Sequence, residues 1–419
     1  MKRPFKLEVL WSWVLLTQSR RSFERDPDRH RAVMWARFQN NVLSKSPKYR
    51  HHKGQALEAF SVQEKLEFMR DFDQINTRGL TLDEAMEVAV QSEQSRDFAP
   101  TLNGVTVGLS SGTSGNRGLF LASEKERAMW VAAVLQRILG WSFRKRKVAF
   151  FLRANSNLYS SVQSKLIAFE FFDLLQPLDG HVTRLNQLQP DVLVGQPSLL
   201  IRLAKAQSET SLSIGPSKVI SVAEVLSPED ERVISETFGV RVDQVYQCTE
   251  GLLGQTCPHG TMHLNEDWLL VEQEWLDEKR FIPVVTDLRR SSQPVVRYRM
   301  NDILHAGTCT CGSRTMAISR IEGRMDDVMV LQGDVTVFPD FVRRAIAGAH
   351  PDIREYQVVQ LSRTEISLFI PDSAHWDLAN QALQALFDRL GTREIVVNSA
   401  PSLYHHDGSK LRRILALRS

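Results

Sequence analysis

Strand and helix patterns alternate along the middle of the chain, from about residue 105 to residue 246, and this alternation restricts the fold more than any other sequence feature. Apolar runs such as VAFFL at 148–152 and DVLVG at 191–195 are separated by stretches with helical periodicity. Such alternation is typical of a largely parallel sheet that is covered by helices on both faces. The sequence therefore predicts an α/β fold with a mostly parallel sheet.

The first hundred residues are predicted to be helical. Capping boxes, in which a hydroxyl group and a glutamate three residues later each bind the other residue's backbone amide, are predicted at Ser61 and Thr81. The apolar stretch from Leu7 to Leu16 has basic flanks, but it is much shorter than the roughly 20 residues that cross a bilayer. We predict an amphipathic first helix packed on the protein, no membrane span and a cytoplasmic location.

Two regions after the alternating segment have different patterns. Between residues 268 and 305, strand patterns follow one another without helices, which predicts a small antiparallel strand region. After Arg320, short strands and two helices make up a stretch large enough for a separate α+β domain. We predict a large N-terminal domain over residues 1–321 and a small, mobile C-terminal domain over residues 322–419, joined by a tight hinge.

The composition excludes disorder and strongly electrostatic binding as main themes. Apolar residues make up 42% of the 419 residues and charged residues 24%, as in an ordinary globular protein. The 52 basic side chains nearly balance the 49 acidic ones, so neither nucleic acid nor an anionic membrane is predicted as the principal partner. Any ligand of nucleotide size must then be held by local groups.

A loop rich in glycine and hydroxyl groups, SSGTSGNRG at 110–118, follows a predicted strand. Its glycines let backbone amides approach a polyanion, and its hydroxyl groups add donors. The loop lacks the Lys-Ser/Thr pair and the following helix of a Walker loop, and a hydroxyl-rich hairpin turn is the alternative interpretation. The candidate phosphate ligands are Ser110, Ser111, Gly112, Thr113, Ser114 and Gly115.

The loop resembles the phosphate loop of the adenylate-forming enzymes, a superfamily of acyl-CoA synthetases, adenylation domains and luciferases. Further segments that resemble motifs of this superfamily occur in its order: AE at 223–224, YQCTE at 246–250, RYRMND at 297–302, RIEGRMDD at 320–327 and DGSKLR at 407–412. The resemblance implies that Ala223, Glu224 and Tyr246 lie at the adenine. It also implies that Thr249 contacts phosphate and that Glu250 binds magnesium.

Residues near the C-terminus take their predicted roles from the same resemblance. Asp302 and Arg324 would hold the ribose, Asp326 would be the pivot of a domain rotation, and Lys410 would be the adenylation lysine. Without the ordered motifs, a solvated basic tail would be the simpler interpretation of the segment around Lys410, and a surface acid that of Glu250.

The branch that the sequence most resembles contains the phenylacetate-CoA ligases, capsule-locus proteins of the CapK type and a synthetase that adenylates a deazaflavin coenzyme. The resemblance implies ATP-dependent activation of a small carboxylic acid, aromatic or otherwise apolar, as an adenylate. Transfer to a thiol of coenzyme A or of a carrier would follow. Transfer to an amine, a reductase or a coenzyme hydroxyl, and a nucleotide-binding scaffold without turnover, are the alternatives; a homodimer is also open.

Cysteine and histidine side chains form a second constellation, CPHGTMH at 257–263 and CTC at 309–311. Three thiolates and one imidazole suit a structural zinc ion, although the Cys-x-Cys spacing is tighter than the usual Cys-x-x-Cys. Reduced thiols without metal are the alternative. The branch resemblance favours zinc, with His259 as a less favoured ligand; the predicted ligands are Cys257, His263, Cys309 and Cys311.

Aromatic residues on predicted strands could line a pocket for the acid. The candidates are Phe150, Phe151, Phe171, Phe172 and the segment from Ala154 to Tyr159. Buried aromatic clusters are more often plain core, so we assign none of these residues to the acid.

Overall fold

The computed structural model describes residues 3–95, 100–109, 118–140, 144–152, 163–174, 176–350, 352–353, 355–392, 394–404 and 412–416. Their contacts divide the chain into two compact units. The first unit comprises the described residues as far as Met300 together with Ala306–Arg320. The second comprises Asn301–His305 and the described residues from Ile321 onward. The predicted domain boundaries and the predicted mobility of the C-terminal domain stay predictions.

Helices occupy most of the first 95 residues and recur between the strands. None of the described helices is both long enough and apolar enough to cross a membrane. In chain order, α1 to α11 are Phe5–Arg25, Pro27–Asn41, Lys65–Arg70, Phe72–Ile75, Leu82–Ser95, Glu124–Ala133, Leu178–Leu188, Pro197–Ser208, Pro228–Phe238, Pro339–Ala349 and Trp376–Arg389.

One predicted capping box is wrong. Helix α3 begins at Lys65 with Glu64 as its N-cap, and Glu67 closes the box. The residues after Ser61 are extended instead, because the amide of Gln63 donates to the carbonyl of Arg297 at 2.9 Å in a β-bridge. This long-range pairing overrides the local capping signal, whereas the box at Thr81 forms as predicted, with Glu84 as its partner.

The strands form one large sheet and several small ones. In chain order, β1 to β21 are Thr101–Leu102, Val105–Leu109, Leu119–Ala122, Arg146–Leu152, Ile167–Asp173, Val192–Gly195, Lys218–Val222, Val242–Gln247, Leu252–Thr256, Met262–Leu264, Leu269–Trp275, Arg280–Asp287, Val295–Arg299, Asp302–Ala306, Ala317–Arg324, Met329–Leu331, Val335–Val337, Gln357–Gln360, Glu365–Phe369, Val396–Ser399 and Ile414–Ala416.

Parallel pairing dominates the middle of the first unit. The strand order is β5-β4-β6-β7-β8, and every neighbouring pair is parallel. Beyond β8 the pairing becomes antiparallel, through β9 and β10 to the start of β15. Strands β11, β12 and β13 also pair antiparallel. The predicted fold class, a covered and mostly parallel sheet with a small antiparallel region, is confirmed.

Apolar side chains from the parallel strands and from helices α7, α8 and α9 share one core. Within it, Phe151 of β4 stacks on Phe172 of β5 with ring centroids 4.6 Å apart, and both side chains are fully buried. Burying an aromatic side chain of this size contributes about 1.5–3 kcal/mol. Phe151 and Phe172 are therefore core residues of the sheet.

The second unit has a core of its own. Its four-stranded sheet has the order β20-β19-β18-β21, and helices α10 and α11 contribute Val342, Ile346, Leu383 and Phe387 to the apolar cluster beside it. A short hairpin, β16 and β17, adds Met329. This mixture of strands and helices matches the α+β character predicted for the end of the chain.

Candidate active site

The three predicted adenine residues lie at the carboxyl ends of β7 and β8. Val222 pairs with Val245, so Ala223 and Glu224 leave β7 beside Tyr246 of β8. Ala223 has a φ of +70°, a left-handed conformation that glycine adopts far more readily than alanine. The carboxyl ends of parallel strands are the edge at which α/β sheets bind ligands.

A tight turn between β8 and β9 carries Thr249 and Glu250 at its centre. The amide of Cys248 donates to the carbonyl of Gly251 at 3.0 Å and closes the turn. The hydroxyl group of Thr249 donates to Glu250 Oε2 at 2.9 Å. The sequence motif therefore folds into a compact turn that presents a hydroxyl group and a carboxylate together.

Thr249 and Glu250 line a small pocket in the first unit. Gly118 and Leu119, which directly follow the glycine and hydroxyl loop, line the same pocket. The loop residues themselves, Ser110 to Arg117, lie outside the described residues. The structure thus brings the predicted magnesium carboxylate to the chain segment that leaves the predicted phosphate loop.

A polar segment after β12 holds this turn from a distant part of the chain. Arg290 Nη1 donates to the carbonyl of Thr249 at 3.2 Å, and Nη2 donates to Gln293 Oε1 at 3.3 Å. Gln293 also bonds the backbone of β3, accepting from the amide of Leu121 and donating to the carbonyl of Leu119, both at 3.1 Å. One segment therefore contacts both the Thr249 turn and the strand that follows the loop.

Glu126, the glutamate of the capping box at the start of α6, anchors that segment. Its carboxylate accepts from the amides of Ser291 and Ser292 at 2.7 and 3.0 Å and from the hydroxyl group and amide of Ser123 at 2.6 and 2.8 Å. Burial alone would raise the pKa of Glu126, but the charge of Arg290 and these hydrogen bonds hold it below its ordinary value. Glu126 is therefore ionised and firmly held.

Asp287 is a second buried carboxylate beside the turn. A Cβ atom added at Gly251 would lie 2.8 Å from Asp287 Oδ2, so the absence of a side chain at Gly251 makes room for this carboxylate. Burial raises the pKa of Asp287 to about 6, although the amide of Arg289 and the nearby guanidinium groups act in the opposite direction. Sequence motifs did not reveal Asp287, Arg290 or Glu126 as neighbours of the turn.

The predicted ribose and hinge residues lie together within the second unit. Arg324 Nε is 3.8 Å from Asp302 Oδ1, and the amide group of Asn301 donates to Asp326 Oδ2 at 2.5 Å. Arg412 pairs with Asp327. Lys410 lies outside the described residues, so its catalytic role stays a prediction.

The four predicted zinc ligands converge in the first unit. The ligand atoms of these four residues all lie within 4.8 Å of one another: Cys257, His263, Cys309 and Cys311. Cys257 Sγ is 3.7 Å from Cys309 Sγ, and Cys311 Sγ is 3.4 Å from His263 Nε2. Three sulfur atoms and one nitrogen at these separations fit a tetrahedral metal site.

The surroundings of His263 prepare its ring for a metal. Nδ1 lies 3.0 Å from the carbonyl oxygen of Thr315, which can only accept, so Nδ1 carries the proton and Nε2 presents its lone pair to the thiols. His259 instead lies near Thr310, with Nδ1 3.2 Å from the hydroxyl oxygen, and is exposed. The geometry fits a metal held by His263, and its occupancy by zinc stays a prediction.

Comparisons with known proteins agree with this geometry. The chain is 24% identical over 292 residues to a phenylacetate-coenzyme A ligase of Thermus thermophilus, a match that covers 58% of this chain and 65% of that protein. It is 29% identical over 140 residues to indoleacetate-lysine synthetase of Pseudomonas savastanoi, covering 31% and 33%. Protein CapK of Staphylococcus aureus is 23% identical over 209 residues, covering 48% and 46%. The chain thus covers less than two thirds of the length of these relatives.

The fold has a full-length counterpart among solved structures. The crystal structure of 2-hydroxyisobutyryl-CoA ligase in the postadenylation state, with R3-HIB-AMP bound, superposes with a TM-score of 0.68 at 17% identity, covering 94% of this chain and 90% of that one. The chain is therefore similar to adenylate-forming ligases in both sequence and fold. No protein-family model matches it. The predicted resemblance, including the CapK-like branch, is confirmed at this level.

Proposed function

We propose that the protein activates a small carboxylic acid with ATP, forming an acyl or aryl adenylate and releasing pyrophosphate. The observation that carries the proposal is the pocket in which Thr249 and Glu250 lie beside Gly118 and Leu119. The pocket joins the predicted magnesium carboxylate to the end of the predicted phosphate loop. The names of the relatives, a coenzyme A ligase and an amino-acid conjugating synthetase, support the same reaction class.

Adenylation requires that charge on the phosphates be neutralised while the acid oxygen is held in line with the α-phosphorus. Glu250 would hold a magnesium ion, which supplies positive charge to the phosphates. Thr249 would contact a phosphate oxygen, and Lys410 would add a cation at the α-phosphate. Ala223, Glu224 and Tyr246 would hold the adenine.

Residues of the second unit complete the proposed cycle. Asp302 and Arg324 would bind the ribose hydroxyl groups. Rotation of the C-terminal domain about Asp326 would then remove Lys410 and expose the adenylate to the acceptor.

We propose a thiol, coenzyme A or a carrier thiol, as the acceptor. The name of the Thermus relative supports coenzyme A. An amine is the second candidate, because the Pseudomonas relative is named as a synthetase that joins indoleacetate to lysine. Consumption of coenzyme A, measured against hydroxamate formation with added hydroxylamine, separates transfer to a thiol from mere release of the adenylate.

The test of adenylation is carboxylate-dependent exchange of pyrophosphate into ATP, with aromatic and aliphatic acids compared. We expect exchange with at least one acid and a loss of about a thousandfold in Lys410→Ala, because a cation at the reacting phosphate is removed. Lys279→Ala, at an exposed turn of the first unit, is the control. The absence of pyrophosphate exchange by the wild type with every acid of a broad panel would contradict the proposal.

We further infer that the cluster of Cys257, His263, Cys309 and Cys311 holds a structural zinc ion. Its four protein ligands would leave no open coordination position, so the ion would join the β9–β10 turn to the loop before β15 and take no part in catalysis. Helix α1 contacts the same loop, because Glu24 accepts from the hydroxyl group of Ser313 and the amide of Arg314, both at 2.9 Å. The ion would therefore stabilise a region where the N-terminal helix meets the sheet.

A further inference from the structure

We propose that Arg290 is a positioning residue for Glu250, and that it sets the affinity of the site for metal-bound ATP. The inference rests on the proposed function, because it gives Glu250 the metal. It concerns a residue that none of the adenylate-forming motifs in this sequence contains.

The contact between Arg290 and the turn acts on the peptide that precedes Glu250. The carbonyl group that accepts from Arg290 Nη1 belongs to Thr249, so it lies in the peptide plane joining Thr249 to Glu250. Fixing that plane fixes the direction in which Glu250 leaves the backbone. The hydroxyl group of Thr249 then restrains the carboxylate of Glu250 directly, at 2.9 Å.

Arg290 is itself held in place, which a positioning residue requires. Its second amino group donates to Gln293, and Gln293 is bonded to the backbone of β3 on both sides of its amide group. The two residues after Arg290 donate their amides to the buried carboxylate of Glu126, whose charge also attracts the guanidinium group. Thr249, Gln293 and the charge of Glu126 thus leave Arg290 little freedom to move away from the turn.

The charge of Arg290 adds a second effect. Arg290 and Glu250 line the same pocket, so a positively charged residue borders the space in which the carboxylate would bind a metal and ATP. A guanidinium group attracts anionic ligands such as a triphosphate. Losing it should weaken the binding of a metal–triphosphate complex more than the binding of a nucleotide without metal.

Arg289 offers a matched control on the neighbouring position. It is also a half-buried arginine of the same segment, but its guanidinium carbon lies 5.4 Å from the centre of the Trp268 ring, and Nη1 approaches the sulfur atom of Met129. Neither of these contacts involves the Thr249 turn. Replacing Arg289 should therefore reduce the stability of the same segment without changing the orientation of Glu250.

The experiment measures two dissociation constants for the wild type, Arg290→Gln, Arg290→Lys and Arg289→Gln. The first is that of the Mn²⁺–ATP complex, followed by electron paramagnetic resonance of Mn²⁺. The second is that of AMP without metal, followed by calorimetry. We expect Arg290→Gln to weaken Mn²⁺–ATP about tenfold, the effect of one charge-assisted hydrogen bond, and to leave AMP within about twofold.

The variants separate positioning from folding. Arg290→Lys keeps the charge but loses the two-pronged contact, so we expect an intermediate Mn²⁺–ATP constant, and this variant decides the question if Arg290→Gln does not fold. Arg289→Gln should bind both ligands as the wild type does. Equal losses of Mn²⁺–ATP and AMP in Arg290→Gln, or no loss of Mn²⁺–ATP, would overturn the inference.

Failure of the inference can be told apart from failure of the proposed function. Binding of Mn²⁺–ATP and AMP needs no acid, so a wild type that exchanges no pyrophosphate contradicts adenylation while the binding constants still decide the role of Arg290. A wild type that does not bind Mn²⁺–ATP contradicts both. A wild type that exchanges pyrophosphate and an Arg290→Gln variant with unchanged constants contradict only the inference.

Discussion

Strand β9 ends in two turns that are held in place by different means. At its start, the turn Cys248–Gly251 accepts a hydrogen bond from Arg290 in the segment after β12, and Asp287 at the end of β12 lies beside Gly251. At its end, the turn that begins at Cys257 carries one of four side chains whose sulfur and nitrogen atoms crowd together. The first turn is fixed by partners that the protein supplies itself, whereas thiolates at such separations repel one another unless a cation lies between them.

This difference has a functional meaning under the proposed reaction. A turn that must bind and release magnesium and ATP in each cycle needs a geometry that persists when they leave. A turn with a purely structural role can depend on a permanently bound metal ion, because the turn never has to release that ion. The turn before β9 therefore suits a catalytic site, and the turn after β9 suits a structural metal site.

The largest expected effect is on the first turn. Glu250→Gln removes the carboxylate while keeping its shape, and pyrophosphate exchange should fall about a thousandfold, because a metal that neutralises phosphate charge loses its anionic ligand. Titration with Mg²⁺ should show a raised requirement. Glu236→Gln, an exposed glutamate of α9, is the control. Exchange within tenfold of the wild type would show that Glu250 is not the metal ligand.

The second turn should respond in stability and not in chemistry. Cys309→Ser removes one of the four proposed ligands, so we expect loss of bound zinc and a melting temperature lower by about 5–10 °C. Zinc content by atomic absorption and thermal unfolding measure both. Cys248→Ser, in the first turn, should keep its zinc, as should His259→Ala. A purified wild type without bound zinc would contradict the proposed structural zinc site.

The smallest effect concerns pH and Asp287. Because burial raises its pKa to about 6 in the folded protein from 3.8, the folded state binds the proton more tightly than the unfolded state does. Stability should therefore decrease as pH rises from 4 through 6 and stay at the lower level above it. The side chain of Asp287→Asn carries no charge. The free energy of unfolding of this variant should therefore exceed that of the wild type at pH 8 by up to about 3 kcal/mol.

Urea unfolding of both proteins at pH 4 and pH 8 measures this difference. The advantage of Asp287→Asn should shrink to less than about 1 kcal/mol at pH 4, where Asp287 is protonated in the folded protein and close to half protonated in the unfolded one. A less stable Asp287→Asn at pH 8 would show that the neighbouring guanidinium groups stabilise the ionised carboxylate more than burial opposes it.

The sequence predicted those features that depend on local pattern. Alternating strands and helices indicated the covered sheet, and the motif at 246–250 indicated Thr249 and Glu250, which the structure places together in one turn. The spacing of the cysteines and His263 indicated a cluster that the fold then assembles from two separate turns.

The remaining features depend on pairs that are distant in the chain. No local pattern shows that the Glu126 carboxylate, besides capping α6, binds the amides of Ser291 and Ser292, more than 160 residues away. Arg290 lies in a polar run that resembles any exposed turn. The box predicted at Ser61 is wrong for the same reason, since a long-range β-bridge occupies the residues that follow it.

Gly254, in the middle of β9, couples the positions of the two turns. A Cβ atom there would lie 2.7 Å from the carbonyl oxygen of His263, so the backbones of β9 and β10 touch at this point and leave no space for a side chain. The strand is only five residues long and is paired on both edges. Because side chains alternate between faces, inserting one residue would reverse the parity of everything beyond it. The length of β9 therefore fixes the separation of the two turns. Adding or removing one residue would turn the side chains beyond it to the opposite face of the sheet.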